Sequence, residues 1–76
     1  MAVLPSISGK DAVKAFQKAG WTQVRIGSSR HFIMKKTGLV TTLSIPDHKV
    51  LDRGLLRALI RDAFLSVDEF RQFLAE

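Results

Sequence analysis

Cysteine is absent from this 76-residue chain, so neither a disulfide nor a thiolate metal site is open to it, a pattern that suits a cytoplasmic protein. No apolar run approaches the roughly 18 residues that a membrane-spanning helix needs, which predicts a soluble protein with no membrane partner. Met1 to Ile7 has neither a charged leader nor a long apolar stretch, so no signal peptide is expected. Repeats, low-complexity segments and linkers are missing. So are a glycine-rich phosphate loop, a Ser-His-Asp arrangement and a paired-carboxylate motif. A chain this short buries only about 60% of its unfolded surface, so the expectation is one domain over residues 1–76 with modest stability. Acid is scarce as well: seven Asp and Glu face twelve Lys and Arg, for a formal charge of +5 and a pI near 10.3.

That cationic surplus attracts polyanions and speeds their encounter. It also keeps a small domain soluble, but here the cations are patterned. Lys10, Lys14 and Lys18 recur every four residues on one expected helix, and Arg53, Arg57 and Arg61 do so on another. The lysines suit a solvated face or an RNA contact equally. Guanidinium groups suit phosphate and acidic protein surfaces alike, so the arginine row is assigned to RNA or to a protein partner. Between the two rows lies Arg30-His31-Phe32-Ile33-Met34-Lys35-Lys36. Imidazole, with an unperturbed pKa of about 6.5, exchanges protons near neutral pH, and the neighbouring cations would offer it to phosphate.

Punctuation places these residues on elements. Ser8 with Asp11 three residues on opens a helix through Ala19, with Val13 and Phe16 inward, and Gly20 stops it. Three strand-like runs follow, Thr22 to Ile26, His31 to Lys36 and Val40 to Ile45, joined through Gly27-Ser28-Ser29 and Lys36-Thr37-Gly38 as antiparallel hairpins. Pro46 ends the third strand for want of a ladder N–H. Leu56, Leu59, Ile60 and Ala63 mark the inner stripe of a helix near Asp52 to Phe64. Ser66 and Glu69 form a capping box, and Leu65 and Phe70 a hydrophobic staple, for a short helix ending at Ala75. The expected fold is α+β: helix, three-stranded antiparallel sheet, helix, short C-terminal helix, with the helices on one sheet face. Trp21, at a helix-to-strand junction, is placed in the core rather than against a base.

Several words in this order resemble the HicA family of toxin–antitoxin ribonucleases: Ala19-Gly20-Trp21; Val24-Arg25 before a Gly/Ser turn and a histidine; Thr42-Leu43-Ser44-Ile45-Pro46-Asp47-His48-Lys49; Arg53 to Arg61; and Leu65 to Phe70. The resemblance implies a fold like that of a double-stranded-RNA-binding domain. It also implies cleavage of messenger RNA and inhibition by a HicB-like antitoxin protein. In that family a Gly-Ser-His turn at the start of the second strand supplies a catalytic histidine. Counted from Gly27 without a gap, that position falls on Ser29. Counted from Phe32-Ile33-Met34, it falls on His31, with Arg30 in the serine's place. Strand parity selects His31, because the core sets which face a residue takes while a turn can absorb an extra residue.

RNA cleavage needs a proton removed from a 2′-hydroxyl or delivered to a leaving 5′-oxygen, and one positioned histidine does one of these. Charge on the phosphoryl oxygens must also be met, for which Arg30, Lys35, Lys36 and the Ser28-Ser29 turn are the candidates. His48 is read as a structural or RNA-contacting residue. A metal there would need a third ligand beside Asp47, so no metal or cofactor is expected. A non-catalytic RNA-binding module, or a degenerate toxin surviving as an antitoxin partner, fits the same composition.

Overall fold

A computed structural model describes residues 3–27 and 30–76. The elements run α1 (Gly9–Lys18), β1 (Thr22–Gly27), β2 (His31–Lys35), β3 (Thr42–Pro46), α2 (Arg53–Asp62) and α3 (Val67–Ala75). The strands form one antiparallel sheet in the order β1-β2-β3, so the α+β layout is as expected.

Caps define the helices. The Ser8 hydroxyl accepts from the Asp11 N–H at 3.1 Å, and Asp52 accepts from the Leu55 N–H at 3.0 Å. At α3 the capping box is complete: Ser66 accepts from the Glu69 N–H at 3.0 Å, and the Glu69 carboxylate accepts from the Ser66 N–H at 2.8 Å. α1 closes on Gly20 in the left-handed region (φ 100°), with the Trp21 N–H donating back to the Phe16 carbonyl.

α2 closes in the same way, Leu65 N–H to Ile60 carbonyl, but the left-handed position (φ 61°) holds Phe64. A bulky side chain there costs on the order of 1 kcal/mol. Its ring is 69% exposed, so little burial offsets that cost. Phe64→Gly is therefore expected to raise stability by about 1 kcal/mol, seen as a higher urea midpoint at unchanged slope. A lower midpoint would show that the ring packs more than its exposure suggests.

Element ends shift from the sequence-based expectation for local reasons. β2 stops at Lys35 because Lys36 opens a turn: the Leu39 N–H donates to the Lys36 carbonyl at 3.1 Å, and Gly38 supplies φ 87°. Pairing resumes only at Thr42, opposite Lys35, which leaves Val40 fully exposed outside β3. α2 is shorter than 52–64 because Asp52 is its cap and Phe64 lies beyond its end. β1 continues to Gly27, opposite His31, and takes up one extra residue between Gln23 and Arg25 as a bulge.

One apolar cluster joins the layers. It includes Val13 and Phe16 of α1, Phe32 and Met34 of β2, Leu43 and Ile45 of β3, Leu56, Leu59 and Ile60 of α2, and Phe70 of α3. The Phe16 and Phe70 rings lie 5.0 Å apart. The helical layer therefore covers one face of the sheet and leaves the other open. Trp21 belongs to the cluster, so it cannot stack on a base; among the described residues its indole nitrogen meets no acceptor. Among the described residues no helix is long and apolar enough to cross a membrane.

Candidate nucleic-acid interface

β2 alternates: Phe32 and Met34 are buried, while His31 and Ile33 are half-buried and Lys35 is exposed. With Phe32 and Met34 in the core, parity puts His31, Ile33 and Lys35 on the open face. Their partners across β3 are Pro46, Ser44 and Thr42, and Lys35 also pairs with Thr22 of β1. Ser28 and Ser29 lie outside the described residues, so the turn proposed to help His31 is not described.

His31 sits where four segments meet. Arg30, immediately before it, holds a left-handed backbone (φ 56°), and its carbonyl accepts from the Asp47 N–H at 2.9 Å. The loop after β3 is tied to the start of α1 by Gly9 N–H to His48 carbonyl at 2.9 Å and by Leu51 N–H to Ile7 carbonyl at 2.8 Å. These backbone bonds hold Pro46, the cross-strand partner of His31, in one place. The His48 side chain is exposed, so its part here is that backbone clamp plus a solvent-facing imidazole.

Gly9 is the residue that reading the sequence did not single out. A Cβ on it would stand 2.1 Å from the Pro46 carbonyl oxygen. Its signal was present, since a glycine in the first turn of a capped helix lowers helicity, and close backbone approach is the usual physical reason for keeping one there.

The candidate cations separate. Arg30 adjoins His31 and is exposed. Lys35 shares the open face but stands four residues along the strand, about 13 Å from His31 at strand rise. Lys36 is occupied elsewhere: its ammonium donates to the Ala19 carbonyl at 3.0 Å and closes the end of α1. Lys18 likewise holds the end of α3, donating to the Phe73 carbonyl at 3.2 Å and to that of Glu76, while Lys10 and Lys14 border a groove floored by Val13 and Phe32. Arg53, Arg57 and Arg61 are exposed on α2. α2 buries Leu56, Leu59 and Ile60 in the core, which leaves that row solvent-facing on the helical layer. Arg61 approaches Asp62 at 3.8 Å, both well exposed, a contact that contributes little. Among the described residues no three His, Asp or Glu side chains gather as a metal-ligand set.

Fold and site together define a small basic α+β domain that presents one imidazole, with an arginine beside it, at the end of an uncovered sheet face. A model of the HicA toxin family of bacterial toxin–antitoxin systems matches residues 9–65, and the chain belongs to that family. It is the toxin of such a system, and it pairs with an antitoxin. No curated protein and no solved structure matches it.

Proposed function

We propose that this toxin is an endoribonuclease that cleaves messenger RNA in the cytoplasm, its 76 residues working as one domain. The observation that carries the reading is His31 on the open face at the end of β2, with Arg30 next to it. In the reaction the 2′-oxygen attacks the adjacent phosphorus as the bond to the 5′-oxygen breaks. His31 either takes the proton from the 2′-hydroxyl, with water protonating the leaving 5′-oxygen, or gives a proton to that oxygen, with water taking the one from the 2′-hydroxyl. A group so placed contributes about 10²- to 10⁴-fold. The Arg30 guanidinium meets the charge that accumulates on the phosphoryl oxygens. A HicB-like antitoxin holds the toxin inactive by masking its basic surface, since a domain of this size has little interior through which to relay a distant signal.

The test is turnover: purified protein mixed with a molar excess of end-labelled single-stranded RNA is expected to yield more product than enzyme. Retarded but intact RNA would make the protein a binding module instead. Arg30 gives a second check. Glycine suits its left-handed backbone better, so Arg30→Gly is expected to keep or raise the thermal midpoint while lowering cleavage at least tenfold. Unchanged cleavage would leave Arg30 a turn residue without a catalytic part.

A further inference from the structure

We propose that the RNA substrate is a single strand that runs along the open face of the sheet, parallel to β2, with Lys35 holding a phosphate distant from the one at His31. The proposal rests on the reading of His31 as the cleaving group.

The register supplies the track. His31, Ile33 and Lys35 lie in line on one face, flanked by Pro46, Ser44 and Thr42 of β3 and by Thr22 beside Lys35. Among the described residues on this face none is acidic, Lys35 is fully available, and Thr22, Thr42 and Ser44 are exposed hydroxyls. A hydroxyl donates and accepts, so it can bond phosphate, a 2′-hydroxyl or a base edge. Half-buried Ile33 in the middle gives an unpaired base an apolar surface. Those bases are turned inward in a duplex, where a protein meets chiefly phosphates and sugar hydroxyls. Lys35 lies about 13 Å from His31, too far to touch the scissile phosphate and therefore suited to another phosphate along the chain.

The experiment measures binding apart from cleavage. Fluorescein-labelled single-stranded RNA of about a dozen nucleotides, ample for a face of this size, is titrated with His31→Ala protein over a salt series. Adding Lys35→Gln is expected to weaken binding roughly fivefold and to flatten the slope of log K against log salt by about 0.7, one phosphate contact. Ser44→Glu, an exposed change on an edge strand, is expected to weaken it more than tenfold by setting a carboxylate under the track. A duplex of the same sequence is expected to compete poorly.

The proposal is overturned if Lys35→Gln and Ser44→Glu bind as their parent does while Arg57→Gln loses affinity, which would put the RNA on the helical layer. It is overturned equally if those two changes affect antitoxin binding alone, or if the duplex binds as tightly as the single strand. If both changes act as expected but wild type never cleaves, the track stands and the ribonuclease reading falls.

Discussion

His31→Ala is expected to cut RNA turnover by 10²-fold or more while leaving the protein folded. The catalytic loss follows from removing the proton-transfer group at the one place where the sheet presents an imidazole on its open face beside Arg30. The folded state should survive because His31 is half-buried at a strand end, on the face opposite Phe32 and Met34, and alanine keeps the Cβ and the backbone pairing with Pro46. Substitutions of that kind usually shift stability by about 1 kcal/mol or less. Induced expression should arrest growth with the wild type and spare it with the variant, and circular dichroism should superimpose. Full cleavage by His31→Ala, with loss in Ser29→Ala, would move the catalytic position to the alignment counted from Gly27.

Gly9→Ala is expected to destabilise the protein by about 2 kcal/mol or more, against the usual sign for this change in a helix. In an unhindered helical position alanine is favoured over glycine by roughly 1 kcal/mol. Here the new Cβ would meet the Pro46 carbonyl oxygen at 2.1 Å and its carbon at 3.1 Å, both backbone atoms with no rotamer by which to move aside. Relieving the overlap means pushing α1 away from the loop, which strains the Gly9–His48 bond and shifts the cross-strand partner of His31. Activity should therefore fall along with the denaturation midpoint. Ser8→Ala, which removes only a cap at the same helix end, should cost about 1 kcal/mol and leave kcat in place. A Gly9→Ala protein as stable as wild type would show that the approach of α1 to Pro46 is looser than this geometry.

The helices were legible because their determinants are local. Ser66 with Glu69 specifies a cap whatever surrounds it, and Leu56, Leu59 and Ile60 specify an inner stripe by spacing alone. Which face of β2 is buried was not legible in that way, since Phe32, Ile33 and Met34 are three consecutive apolar residues and only the packing puts Phe32 and Met34 in the core. The ends of β3 and α2 were less so. A turn at Lys36 to Leu39 and a left-handed Phe64 depend on where pairing and packing resume, which no propensity of Val40 or Phe64 declares.

By itself the chain's order of residues determined an α+β layout, a cationic surplus and an imidazole at the start of its second strand. Only the tertiary structure decided which cations share a surface with that imidazole. Lys36, adjacent to Lys35 in sequence, turns away to close α1, whereas Lys35 stays exposed on the face that carries His31. It also decided that Gly9, distant in sequence, is what lets α1 approach Pro46, the cross-strand partner of His31, so closely. The physical reason is range: caps and periodicity act within a few residues, while the facing of surfaces depends on how separate elements bury their apolar sides against one another.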